Sequence, residues 1–147
     1  MLDVKKGMKV YIAAPFFDKV QVNVVKRIEE VLHKAGIEYF SPRSEGTLIE
    51  MNTEERAKKM NDIFQSNVAH MDWSTHCVAF IDGYDKGTVW EMGYMFAKGK
   101  KIITFTNSYY GINVMLNESI EAHCVEFDEI LEGLKGIFKG VKTIEVI

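Results

Sequence analysis

The sequence predicts an α/β fold, a parallel five-stranded sheet with helices on both faces. Three observations carry this. Short apolar runs alternate with longer segments of helical period along the chain. The run Cys77-Val78-Ala79-Phe80-Ile81 is apolar without interruption, as expected of a strand covered on both sides. The spacing of the alternation is that of strand–helix–strand units, which argues for parallel pairing.

Taken in order, Met8 to Ala14 is rich in strand formers and is stopped by Pro15. From Asp18 to Ala35, apolar residues recur at Val25, Ile28, Val31, Leu32 and Ala35, a helical period closed by Gly36. Ile37 to Ser41 is a second strand, ended by Pro42. Thr53 to Trp73 predicts a helix with Thr53 as N-cap and an apolar face of Ala57, Met60, Ile63/Phe64, Val68 and Met71. Cys77 to Ile81 is the third strand. Thr88 to Lys98 is a helix ended by Gly99, and Ile102 to Thr106 the fourth strand. Ile112 to Ala122 predicts a helix, Val125 lies in a fifth strand, and Glu129 to Phe138 a last helix. Thr143 to Ile147 is an edge strand or a tail. Right-handed crossovers then give a flavodoxin-like, Rossmann-related strand order 2-1-3-4-5. The ligand crevice of such a sheet lies beyond the ends of strands 1 and 3, at Ala13–Phe17 and Ile81–Asp85.

The bulk numbers narrow the function classes. The 147 residues fit a single domain, with residues 1–7 as a loose extension. A hydrophobic fraction of 47% and a charged fraction of 27% are those of a globular protein. A net charge of −3 without a basic block argues against a nucleic-acid polymer as partner. The apolar runs are too short to span a membrane, and the N-terminus lacks the apolar core of a signal peptide. Cys77 and Cys124 lack metal-ligand spacing, and the four histidines are scattered, so the expectation is a cytoplasmic protein with reduced, buried thiols and no metal.

The chemistry concentrates in Asp85-Lys86-Gly87-Thr88-Val89-Trp90-Glu91-Met92-Gly93, at the handover from strand 3 to a helix. Thr88 and Glu91 match a capping box, in which Glu91 serves its helix start. The competing reading aims Glu91 into the crevice as an ionised carboxylate held by the helix N-terminus. Gly87 permits a tight turn and Gly93 a close helix–sheet approach. Asp85 and Asp82 are ordinary turn residues, or acid groups facing a polar ligand that raise each other's pKa. Tyr11, in the first strand, is a core residue or one that orients a carboxylate. Phe16 and Phe17 are core or a stacking wall. Asn113 is an ordinary helix cap on local grounds. Neither GxGxxG nor a P-loop occurs.

Together, Val10-Tyr-Ile-Ala-Ala-Pro-Phe-Phe17, Phe40-Ser-Pro-Arg43, the D-x-G-T-x-W-E-x-G motif at Asp85–Gly93 and Ile112-Asn-Val-Met115 resemble the nucleoside 2-deoxyribosyltransferases over roughly residues 8–125. The resemblance implies that Glu91 is a nucleophile forming a covalent deoxyribosyl ester, with net retention after two inversions. It makes Tyr11 the residue orienting Glu91, and Asp85 the sugar- and base-side carboxylate. Phe16, Phe17, Asn67, Asp82 and Gly87 complete the substrate side. Asn113 and Met115 reach a neighbouring subunit's site in a homo-oligomer, a hexamer or smaller. Substrates are 2′-deoxynucleosides and free purine or pyrimidine bases, with no metal or organic cofactor. Two positions depart from the family pattern. Asn67 stands where many members have Asp, and Gly46 where many have Gln. The alternatives are an N-glycoside hydrolase of deoxynucleosides or their 5′-monophosphates, and a non-catalytic nucleoside-binding module. The first loop, Ala13–Phe17, has no basic residue, which argues against a phosphate.

Overall fold

A computed structural model of the chain describes residues 7–45, 52–108 and 111–137. Five strands form one sheet: β1 (Lys9–Ala13), β2 (Glu38–Phe40), β3 (His76–Phe80), β4 (Lys101–Phe105) and β5 (Ala122–Cys124). All pairings are parallel and the order is β2-β1-β3-β4-β5, the order the alternation predicts. Between and after them lie α1 (Lys19–Lys34), α2 (Thr53–Trp73), α3 (Lys86–Ala97), α4 (Val114–Ser119) and α5 (Glu129–Leu134), with single 3-10 turns at Pro42–Glu45 and Asp82–Tyr84.

The two-residue period of the strands feeds two cores. Val10, Ile12, Val78, Phe80, Ile103 and Phe105 face α1 and α5. Tyr11, Ala13, Cys77, Ala79 and Ile102 face the other side, against Met71 of α2 and Met92 and Met95 of α3. Both cysteines are buried and free.

Local chemistry sets most boundaries. Asp18 caps α1 in a reciprocal box with Gln21, and Gly36 takes a φ of +72° beyond its end. Arg43 holds Glu29 of α1 through two hydrogen bonds of 2.6 and 2.5 Å, fixing the turn after β2. Several expectations are corrected. α2 is capped by Asn52 rather than Thr53, its side chain accepting from the Glu55 amide at 2.9 Å. The expected apolar face of α2 is buried only at Met71, with Val68 partly covered; Met60 is 53% exposed and Phe64 50%. The cause is length. Twenty-one residues make a helix of ~31 Å, whereas five-residue β1 is ~17 Å long, so α2 overshoots the sheet. α4 has six residues, shorter than expected, and β5 ends at Cys124, before Val125. Gly93 is not a packing glycine: a Cβ there would meet nothing within 4 Å. Gly133 is, because its Cβ would lie 3.2 Å from Ile103 Cγ2. Among the described residues no helix is long and apolar enough to cross a membrane. Residues 143–147, read as an edge strand or tail, lie outside the described residues.

Candidate active site

β1 and α3 bring two residues together that stand 80 apart in the sequence. Tyr11 points from β1 towards α3, fully buried, and its hydroxyl donates a hydrogen bond to Glu91 Oε2. Phe40 of β2 backs the Tyr11 ring at 5.8 Å between centroids. His70 of α2 stacks on Phe40 at 3.6 Å. The Phe40-Ser-Pro-Arg43 segment thus supports the site from behind rather than entering it.

Glu91 is the sixth residue of α3, past the first turn, so neither a capping role nor the helix dipole reaches it. This removes the capping reading, and from the competing reading only the helix dipole, since Glu91 does face a cleft. The cap is Asp85, whose Oδ2 accepts from the Thr88 amide at 2.9 Å and the Thr88 hydroxyl at 3.0 Å. Gly87 leaves room for that carboxylate, since a Cβ there would lie 3.3 Å from Asp85 Oδ2. α3 begins at Lys86, two residues earlier than the Thr88 pattern suggests, which moves Glu91 out of capping range.

The environment sets the proton affinities. Burial pushes the Glu91 carboxyl up to about 7; the Tyr11 hydrogen bond opposes this, and the nearby Asp85 charge adds to it. Tyr11 is pushed well above its ordinary range, first by burial and then by the Glu91 charge, so it remains a neutral donor. Burial likewise raises the Cys77 thiol beneath them, which stays protonated. The pair is therefore a carboxylate poised near neutrality and a fixed donor that orients it.

A cleft of about 440 Å³ opens over Glu91 between α2 and α3. Phe64, Asn67, Val68 and Met71 line it from α2, and Lys86, Gly87 and Trp90 join Glu91 from α3. The larger groove, about 680 Å³, lies between α1 and the β5–α5 turn; neither Tyr11 nor Glu91 borders it.

The sequence model of the family described as nucleoside 2-deoxyribosyltransferase matches residues 10–129. The chain belongs to this family. A solved 2-deoxyribosyltransferase from Bacillus psychrosaccharolyticus is 29% identical, with a TM-score of 0.74 over 83% of this chain and 89% of that one. A conserved protein from Enterococcus faecalis shares the fold at a TM-score of 0.67 and 21% identity, over 87% of this chain and 97% of that one. An uncharacterised protein of Ureaplasma parvum is 26% identical over 161 residues, 93% of this chain and 98% of its own length.

Against the family expectation, Tyr11, Glu91, Asn67 and Gly87 converge on one region, while other residues lie apart. Phe16 and Phe17 stack on each other at 5.8 Å, with Phe17 78% exposed, and neither borders the Glu91 cleft. Asp82 spends its carboxylate on the segment after β4, accepting from the Thr106 hydroxyl and, at 3.1 Å, from the Asn107 amide and the Ser108 hydroxyl. Tyr84 donates to the Gly111 carbonyl, so the same turn also anchors the approach to α4. Asn113 caps α4 by accepting from the Met115 amide at 2.8 Å, and Met115 is 76% exposed. Gly46 lies outside the described residues. The cleft residues missed from sequence are Phe64, Val68, Met71, Lys86 and Trp90. Phe64, Val68 and Met71 belong to the apolar stripe that the sequence predicts for this helix, and helical period alone cannot separate a stripe that packs from one that lines a cleft.

Proposed function

We propose that the chain transfers the 2-deoxyribosyl group between nucleobases through a covalent ester on Glu91. A Glu91 oxygen attacks C1′ of a 2′-deoxynucleoside, the bond from C1′ to the base nitrogen breaks, and its electron pair leaves with the base. The departing base takes a proton from water, since an amide at Asn67 has no acidic proton. A second base attacks C1′ from the opposite side, breaks the ester, releases Glu91 as carboxylate and loses its own proton. Two inversions give net retention. The Tyr11–Glu91 pair is the observation that carries this reading. A Glu91 pKa of about 7 leaves a substantial ionised fraction at neutral pH without making the carboxylate a poor leaving group. Asp85 assists on the ligand side with the oxygen its cap bonds do not use. Asn113 and the exposed Met115 complete the site of a neighbouring copy.

A non-catalytic binding module would leave the buried Tyr11–Glu91 pair without a task, and its simplest support, a capping role for Glu91, falls to Asp85. One observation favours a second reading. Lys86 borders the cleft and supplies the cation that the first loop lacks, which suits a deoxynucleoside 5′-monophosphate with water as acceptor. The deciding experiment incubates the protein with deoxyinosine or its monophosphate plus adenine. Deoxyadenosine, or its monophosphate from the monophosphate donor, supports transfer; hypoxanthine with neither supports hydrolysis; no change contradicts both.

A further inference from the structure

The turn after β2 is tied to both α1 and α2. Arg43 holds Glu29 of α1, and Glu45 accepts from the Ser66 hydroxyl of α2 at 2.9 Å. One turn further along α2, His70 Nδ1 lies 2.7 Å from the Ser66 carbonyl oxygen and 3.4 Å from its hydroxyl oxygen. A carbonyl only accepts, so Nδ1 carries a proton and donates it. That bond fixes the plane of the imidazole. The ring lies 3.6 Å from Phe40 between centroids and 7° from parallel, which is stacking at van der Waals distance. Phe40 needs such a hold. It ends a three-residue strand at the sheet edge, is only partly buried, and is the ring that backs Tyr11. One line of contacts thus runs from α2 through His70, Phe40 and Tyr11 to Glu91.

We propose that His70 is a positioning residue which, through Phe40, holds the Tyr11 hydroxyl on Glu91. The inference rests on the reading of Glu91 as nucleophile. His70 does not border the cleft over Glu91, so what it contributes is geometry at one remove. Without the imidazole, one face of Phe40 loses its partner, and the rings beside the gap relax into it. Hydrogen bonds weaken steeply as they leave alignment, so a small drift of the Tyr11 ring is felt at Glu91 Oε2. The carboxylate then loses part of a bond that favours its ionised form.

Two readouts test this together: the NMR titration of the Glu91 carboxyl, and the acid limb of transfer from deoxyinosine to adenine. In His70→Ala both are expected to move up by about half a pH unit, a roughly twofold loss in kcat/KM at pH 7. His70→Phe puts a ring back against Phe40 and is expected to return both towards the wild type. On a Tyr11→Phe background, adding His70→Ala is expected to shift neither further, because no hydroxyl is left to position. Asp85, Lys86 and Cys77, the other ionisable groups about Glu91, are unchanged in every variant. Three results would each overturn the proposal. They are a carboxyl titration unmoved in His70→Ala, no return in His70→Phe, which would mark the lost imidazole charge, and a further shift on the Tyr11→Phe background. Should His70→Ala fail to fold, His70→Leu, which has no flat face to stack, takes its place. The carboxyl titration needs no turnover, so the expected shifts without base exchange would sink the transfer reading and leave the positioning role standing.

Discussion

Replacing Tyr11 with Phe isolates the hydroxyl that touches Glu91. The ring and its packing on Phe40 remain, and one donor disappears. A hydrogen bond to a charged group is worth about 1.5–3 kcal/mol, which corresponds to about one to two pH units in the pKa of the acceptor. Tyr11 holds Glu91 down against burial, so its loss lets the carboxyl climb further above about 7. At pH 7 the ionised fraction then falls from roughly one half to between about a tenth and a hundredth, a loss of roughly 5- to 50-fold in kcat/KM. The assay is transfer from deoxyinosine to adenine, followed by chromatography from pH 5 to pH 10. The acid limb of the Tyr11→Phe profile is expected to move to higher pH, with much of the activity recovered on the alkaline side. An unmoved limb, a limb moved downward, or a loss of equal size at every pH would refute the orienting role.

Three further outcomes follow from the same geometry. Because the folded-state pKa of Glu91, about 7, exceeds the ordinary 4.5, its stabilising contribution is complete below pH 4.5 and lost as pH rises through 7. Glu91→Gln should therefore match the wild type in urea denaturation at pH 4 and exceed it at pH 8 by up to about 3 kcal/mol, and a larger gap at low pH would reverse the sign of the account. Asp85→Ala should cost about 1 kcal/mol through loss of the α3 cap, whereas Asp85→Asn keeps the cap and lowers the acid limb of the activity profile by removing a charge beside Glu91. If Asn113 and Met115 complete a neighbour's site, specific activity should fall on dilution along with the oligomer in light scattering, and Met115→Glu should reproduce the diluted state at high concentration.

The sheet was legible because each strand is a short apolar run and each crossover an amphipathic segment, leaving few topologies open. Strand order follows from that alternation, but the expected crevice does not match the cleft: the cleft lies between α2 and α3, and none of Ala13–Phe17 or Ile81–Asp85 lines it. The capping roles were not legible. Thr88-x-x-Glu91 and Asp85-x-x-Thr88 both fit a helix start, and only the backbone of Asp85, with φ −54° and ψ 128°, places the start at Lys86. The cleft walls were hidden for a different reason. Phe64, Val68 and Met71 share one face of α2, but whether that face packs or lines an opening depends on the overshoot of α2 beyond the sheet. Gly93 and Gly133 exchanged the role of close-packing glycine because only three-dimensional neighbours distinguish them.

The central claim is a covalent bond between Glu91 and deoxyribose. Acid-quenching the protein during turnover of deoxyinosine, followed by protease digestion and mass spectrometry, tests it most directly. The predicted result is one dehydrated deoxyribose on the peptide containing Glu91, absent from Glu91→Gln and chased away by added adenine. Turnover by the wild type with no adduct on that peptide, or with the adduct on another residue, would contradict it.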